Sequence, residues 1–205
     1  MDEIKSLSFQ MEKIALKLSV KVQKIYDSLK ELHDLTILLF KNTSEDNDSI
    51  NRWLADEMFA VDGKGYFRRS GVLDTFHNKM DISDEVTYHW PGQLKDDLGI
   101  RFRFYALREV AFILKKIKDK LGNVSIIYYQ DVISNGAIAY PYFDMADAIP
   151  ADFSWKEYYT YLSVNPENNP ERLIQRTPPN IDYAGEGLIT IFSIPIYVRG
   201  CLKTR

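Results

Sequence analysis

The sequence predicts a mixed α+β fold with a mostly antiparallel sheet, and three observations carry that expectation. The first forty residues hold one continuous apolar stripe at helical spacing. A short stretch further on sets two apolar segments around a glycine-rich turn. After Gly122 the chain turns from helical periodicity to short runs of valine, isoleucine and tyrosine separated by turn residues. Long helix, hairpin, second helix, then antiparallel strands with short helices inserted is the order of an α+β domain.

In the first segment Ile4, Leu7, Met11, Ile14, Leu18, Val22, Ile25, Leu29, Leu32, Leu35 and Leu39 recur three and four residues apart, on one side of one helix. At about 1.5 Å per residue, a helix over residues 2–41 runs roughly 60 Å, longer than a domain of this size is wide. The helix either lies wholly on its own domain or also pairs with a copy of itself, and the second is the expectation, with residues 22–39 packed on the sheet. Ile4, Met11, Leu18, Ile25, Leu32 and Leu39 keep a strict seven-residue spacing, but Lys21 and Ser28 interrupt the companion series. A homodimer paired in parallel through Ile4, Leu7, Met11, Ile14 and Leu18 is the expectation, with a weak seam. The polar run "NTSEDNDS", residues 42–49, stops the helix.

"MFAVDGKGYFRRS" reads as a hairpin turning at Asp62-Gly63-Lys64-Gly65; no Lys-Ser/Thr helix start follows, so the glycines are not a phosphate loop. Residues 93–121 return to helical spacing, and "KKIKDKLG" closes that helix with cations and Gly122. "VSIIYYQD" (124–131), a turn at Ser134-Asn135-Gly136 and "AIAYPYF" (137–143) form a tyrosine-rich antiparallel hairpin. "FSWKEYYTYL" is a short helix or turn and "NPENNPERLIQRTPPNID" a proline-punctuated loop. "GLITIFSIPIYV" (187–198) is the strongest strand signal of the chain, with Pro195 inside it.

Composition narrows the function classes. With 205 residues, 45% of them hydrophobic and 13% aromatic, the chain can bury a real core as one domain or two small ones, and disorder is excluded. A net charge of −3 leaves no electrostatic footprint for nucleic acid. Cys201 is the only cysteine, so neither a disulfide framework nor a thiolate metal site is available. "MDEIKSLSFQ" is charged and lacks the apolar run of a signal peptide, and the longest apolar stretch falls short of the roughly 20 residues of a membrane helix. His33, His77 and His89 do not stand at metal-binding spacings and read as surface or capping residues. Without an HExxH pattern or a G-x-S-x-G elbow, no catalytic constellation, metal or cofactor is expected, and enzyme is the weaker class. What remains is an aromatic cluster: Tyr128, Tyr140, Tyr142, Phe143, Phe153, Trp155, Tyr158, Tyr159 and Tyr161, followed by Asp182. Large apolar faces with polar tips are what a small-molecule pocket needs. Tyr128, Tyr140, Trp155, Tyr158 and Asp182 are the candidate ligand-binding residues.

"VSIIYYQDVISNGAIAYPYF", "FSWKEYY" and "NPENNPERLIQRTPPNIDYAGEGLITIFSIPIYVRG" together resemble the extracytoplasmic double-Cache sensor domain of bacterial membrane receptors, of the type preceding histidine kinase and diguanylate cyclase modules. The resemblance covers residues 124–200, and the long opening helix fits it. It implies a PAS-like antiparallel sheet with the long helix packed on it, and a small ligand bound outside the cytoplasmic membrane, where the counterparts of the five candidate residues line the site. The family's last strand carries a proline in "T-x-x-x-P-V-Y", which Thr190, Pro195 and Tyr197 resemble with one more residue between threonine and proline, so Pro195 is expected at a bend or bulge where the sheet curves. The family's "R-x-W-Y" appears as "DFSWKEYY", which keeps Trp155 and Tyr158 without the arginine. Its "PY-x-D" appears as "PPNID", which keeps Asp182 without the tyrosine. Those departures remove most of the amino-acid receptor signature and leave Asp182 to select a cation or an amine. In the family a membrane-proximal lobe and a second membrane helix follow "PIYVRG". Residues 1–42 are thus expected to be a signalling and dimerisation helix, and residues 43–205 a sensor domain lacking its C-terminal part. The receptor itself is expected to be anchored in the inner membrane with this portion in the periplasm or outside the cell. The alternative expectation is a protein-interaction module that docks a periplasmic partner without a small ligand.

Overall fold

The computed structural model describes residues 2–43, 46–61, 65–68, 86–90, 97–122, 124–142, 149–150, 152–181 and 187–197. The chain is mixed α+β, with a long N-terminal helix and small antiparallel sheets. Helix α1 spans Asp2–Asn42, and Thr43 closes its last turn by donating both its N–H and its hydroxyl to the carbonyl of Leu39. A second helix, α2 (Asn47–Glu57), follows at once and was not expected from the sequence. Asp46 starts it by accepting from the N–H and hydroxyl of Ser49, contacts that also hold the Asp46 carboxyl below its usual range. Ile50, Trp53 and Leu54 supply its apolar side at spacings of three and four.

Strands β1 (Met58–Val61) and β2 (Gly65–Arg68) form the expected hairpin, in register from Met58↔Arg68 to Val61↔Gly65; the turn at 62–64 lies outside the described residues. Strand β3 (Thr87–Trp90), a β-branched and aromatic run the sequence reading passed over, takes the centre of the sheet. Helix α3 (Leu98–Leu121) is capped by Asp97, whose carboxylate accepts from the Ile100 N–H at 2.9 Å. It ends at Gly122, which adopts φ 72° and donates its N–H to the Lys118 carbonyl. The expected start near Gln93 lies outside the described residues. Strands β4 (Ile127–Asp131) and β5 (Gly136–Tyr140) pair from Ile127↔Tyr140 to Asp131↔Gly136, and the sheet order is β1-β2-β3-β5-β4, which leaves β4 at an edge.

Alternation along these strands divides the sheet into two faces. Tyr88, Trp90, Ile127, Tyr129, Ile138 and Tyr140 join Phe104, Leu107, Val110, Leu114 and Ile117 of α3 in one core. Trp53 of α2 sits among Tyr88, Phe104 and Tyr105 with ring centroids 5.6–5.9 Å away. Gly136 is required where β5 begins, because a Cβ there would lie 2.5 Å from Cδ2 of Phe104. Residues of α1 from Leu29 to Phe40 pack mainly on α3 and reach the sheet at Phe40, whose ring lies 6.2 Å from that of Tyr129. The expected packing of 22–39 on the sheet is corrected accordingly: α3 already covers that face, so α1 forms an outer layer. Ser28, which breaks the heptad pattern, is fully buried in this part of α1. From Ser6 to Lys21 every residue of α1 is exposed, Leu7, Met11, Ile14 and Leu18 included.

The long strand expected over 187–198 is also corrected. The segment forms two two-residue strands, β8 (Leu188–Ile189) and β9 (Phe192–Ser193). They pair with β7 (Asn180–Ile181) and β6 (Gln175–Arg176), in small sheets apart from the main one. Pro195 is buried beyond β9 in irregular backbone, not at a bulge inside a ladder. A residue without an N–H suits a segment that leaves its ladder there.

Two charge arrangements stitch the helices to the rest. Arg103 of α3 and Asp131 at the end of β4 form a buried ion pair, Nε to Oδ2 at 3.0 Å and Nη2 to Oδ1 at 2.5 Å. Asp131 also accepts from the Ser134 N–H at 3.0 Å. Removing one partner strands the other charge in the core, so Asp131→Asn or Arg103→Met should each destabilise by about 3 to 5 kcal/mol in urea denaturation. The double change Arg103→Met with Asp131→Leu should recover most of that loss. A single variant within about 1 kcal/mol of the parent would disprove the coupling.

On the surface, Glu31 of α1 accepts from Lys120 of α3 at 2.6 Å and lies 3.8 Å from Lys116. The Lys120 hydrogen bond, outweighing burial, holds the Glu31 carboxyl below its ordinary 4.5. A carboxyl lowered on folding stabilises the fold above its unfolded value, and that contribution is lost as pH falls through the folded one. Glu31→Gln should thus lower the melting temperature slightly at pH 7, an effect of about 0.2 to 1 kcal/mol. The difference from the parent should fade below about pH 4 and in molar salt. A difference that grows on acidification would contradict the assignment.

Candidate functional site

The second face of the sheet builds the site. Because β5 alternates, Ala137 and Ala139 point away from α3, and Thr87 and His89 of β3 and Tyr128 and Gln130 of β4 stand beside them in register. Two alanines leave room for a large ring, and Trp155 fills it at 3% exposure. Phe153, Trp155 and Tyr158 stack edge to face, with centroids 4.8–5.8 Å apart.

Asn135 delivers Trp155 to this position. It sits in the β4–β5 turn at φ 56°, a conformation that asparagine tolerates better than most residues. Its amide donates to the Phe153 carbonyl and accepts from the Trp155 N–H, both at 3.0 Å, clamping the segment ahead of the short 3₁₀ turn Trp155–Glu157. Helix α4 (Tyr159–Val164) is tied to β4 through the Thr160 hydroxyl, which donates to Gln130 Oε1 at 2.9 Å. The loop beyond is shaped by the buried Asn169, which donates to the Leu173 carbonyl and accepts from the Leu173 N–H and the Gln175 side chain.

These elements enclose a cleft of about 1230 Å³. One wall is the aromatic face with Tyr128, Trp155 and Tyr158, continuing along edge strand β4. Ile25, Leu29 and Leu32 of α1 form a second wall and the segment from Leu188 to Tyr197 a third. Phe192 of that segment meets the Tyr26 ring of α1 edge to face at 5.9 Å, and the Tyr197 hydroxyl donates to the Val164 carbonyl at 3.3 Å.

Of the five sequence candidates, Tyr128, Trp155 and Tyr158 come together on this wall. Tyr140 does not: three residues after Ala137 along β5, its ring faces the α3 core, with Lys115 5.6 Å from its centroid. Asp182 lies outside the described residues. His89 corrects the reading of the histidines as surface or capping groups, since it is fully buried in β3 with its ring 6.4 Å from that of Trp155. His33 is part-exposed beside Asp34, and His77 is outside the described residues. Asn135, Thr160 and Gln130 escaped sequence reading as site-building residues; only the Asn-Gly turn signal marked the first. Among the described residues no group of three or more histidine, cysteine or acidic side chains is placed to hold a metal ion, and no helix is long and apolar enough to cross a membrane.

The Asn135 clamp gives a testable outcome. Asn135→Ala removes both hydrogen bonds to the 153–155 segment without altering the aromatic wall itself. The change should raise hydrogen exchange at the Trp155 amide at least tenfold and destabilise by about 1 to 3 kcal/mol. Unchanged exchange at that amide would show that the wall is held by ring packing alone.

No protein-family model, curated protein or solved structure matches the chain.

Proposed function

We propose that this chain is the extracytoplasmic sensing part of a membrane signal-transduction receptor of the histidine kinase or diguanylate cyclase type, binding a small molecule in the cleft of the aromatic face. The observation that carries the reading is that one cleft is walled both by Tyr128, Trp155 and Tyr158 and by Ile25, Leu29 and Leu32 of α1. A ligand there touches the helix that leaves the domain. Whatever preference it has between two placements of α1 becomes a shift in their populations, so binding and signalling share one contact. At about 1230 Å³ the cleft is more than roomy enough for a small molecule, and its lining is mostly apolar with some polar groups, as such sites require. The chain's own role is binding, and any catalytic output belongs to a module outside this sequence.

Pairing of two copies through the exposed part of α1 completes the proposal. Leu7, Met11, Ile14 and Leu18 are each 57–63% exposed on one side of a helix that its own domain does not cover. An apolar seam of this kind is the ordinary basis of a parallel two-helix contact. A protein-docking module remains the second reading, favoured by one observation: among the described residues β4 is the outermost strand of the main sheet and runs along the cleft, the position at which an extended peptide adds to a sheet.

Two measurements test these statements. Tyr158→Ala should weaken small-molecule hits from a thermal-shift screen by about tenfold, with retained secondary structure, as expected for losing one aromatic contact. A screen that yields only peptides in extended form would favour the second reading. In analytical ultracentrifugation, Leu7→Asp combined with Ile14→Asp should convert dimer to monomer. A dimer untouched by both aspartates would place the interface elsewhere.

A further inference from the structure

We infer that the ligand of the cleft is an amphiphilic anion, an apolar body carrying one carboxylate, sulfonate or comparable acidic head. The inference rests on the reading of the cleft as a small-molecule site and adds the chemical class. Among the described lining residues the single carboxylate is Asp131, and Arg103 neutralises it inside the core. Two further cations line the cleft, Lys156 and Arg172, both exposed and neither with a carboxylate partner among the described residues. Setting aside the closed Arg103–Asp131 pair, the described lining carries two positive charges and no negative one.

Arg172 is held in place by its surroundings. Its backbone adopts φ 57°, a conformation uncommon for a residue with a side chain, while its N–H donates to the Asn169 carbonyl at 3.0 Å. The guanidinium lies over the Tyr197 ring, 4.5 Å from its centroid, and Tyr197 is anchored to α4 through its hydroxyl. A guanidinium stacked on a ring keeps its N–H edge available for an oxyanion. Lys156 follows Trp155 in the 3₁₀ turn, so the second cation is carried by the same turn as the aromatic wall. The indole N–H of Trp155 is buried without an acceptor among the described residues, a further donor beside the cleft. Apolar walls from α1 and the aromatic face, a buried donor, and two cations without a counter-charge among the described residues define the complement: an acceptor-bearing, negatively charged head on a hydrophobic body.

The test uses two dyes with the same aromatic body, anilinonaphthalene sulfonate with a sulfonate and phenylnaphthylamine without one. Both are titrated by fluorescence into the whole chain and into its Lys156→Gln, Arg172→Gln double variant at physiological ionic strength. Both substitutions are at exposed positions, and circular dichroism confirms the fold. The sulfonate should bind at least about tenfold more tightly than the neutral dye to the parent chain, the scale of a charge-assisted hydrogen bond. The double variant should lose most of that preference, keep the neutral dye within about twofold, and release decanoate but not decanol. Equal binding of the two dyes, a preference that survives the double variant, or tighter binding of dansylcadaverine, an amine, would overturn the anion class while leaving the cleft as a site. Binding of neither naphthyl dye, nor of dansylcadaverine, would overturn the cleft itself.

Discussion

The buried Arg103–Asp131 pair is the interaction on which the rest of the structure depends. It joins the helix that covers one face of the sheet to the last residue of edge strand β4. The same carboxylate then accepts from the Ser134 N–H and so shapes the β4–β5 turn. In that turn Asn135 takes the left-handed conformation from which its amide grips both sides of the 153–155 segment. A charge pair on the α3 side of the sheet thereby fixes the position of Trp155 on the other side. Breaking it would leave an uncompensated charge in the core and would also loosen the aromatic wall, although neither ion touches that wall's rings.

The two faces of the sheet differ in a way that follows from strand alternation. On the α3 side the strands contribute Ile138, Tyr140, Tyr129 and Trp90, and the space is closed by Phe104 and Leu107. On the other side β5 contributes two alanines, so the volume must come from elsewhere, and Trp155 supplies it from a segment 15 to 20 residues further along. A wall built by a returning loop is easier to reshape than a strand-on-helix core, because it depends on a few hydrogen bonds more than on a continuous ladder. Such a wall is suited to a binding site, and its neighbour along the cleft is α1, the element with the longest reach in the chain.

Much of this architecture was legible in the sequence, and the parts that were not have physical reasons. The long helix announced itself through eleven apolar positions at regular spacing, and the tyrosine-rich hairpin through alternation and an Asn-Gly turn. Strand β3 went unread because "VTYHW" is short and isolated, and its strand character is expressed by neighbours on both sides. The same burial on two faces turned His89 from an apparent surface residue into a core residue. The segment 187–198 misled in the opposite direction: its composition favours a strand, but a ladder needs a partner, and its two short pairings leave Pro195 in irregular backbone. In the site, the aromatic types were readable while their sides were not. Tyr128 and Tyr140 stand near each other in adjoining strands, yet the register Tyr128↔Ala139 sends them to opposite faces.

The exposed part of α1 sets the last constraint. The stretch from Ser6 to Lys21 continues a helix whose later turns are packed on α3, so it needs only propagation and not a new nucleus, yet every residue in it is exposed. Leu7, Met11, Ile14 and Leu18 lie on the side that continues into the buried Leu32 and the half-buried Leu39. At about 100° per residue, Phe9, Leu16 and Val20 fall on the opposite side, and each is more than 60% exposed as well. A two-helix contact can cover one of these sides and leaves the other in water. The helix therefore carries exposed apolar surface on two opposite sides, more than one two-helix contact would use.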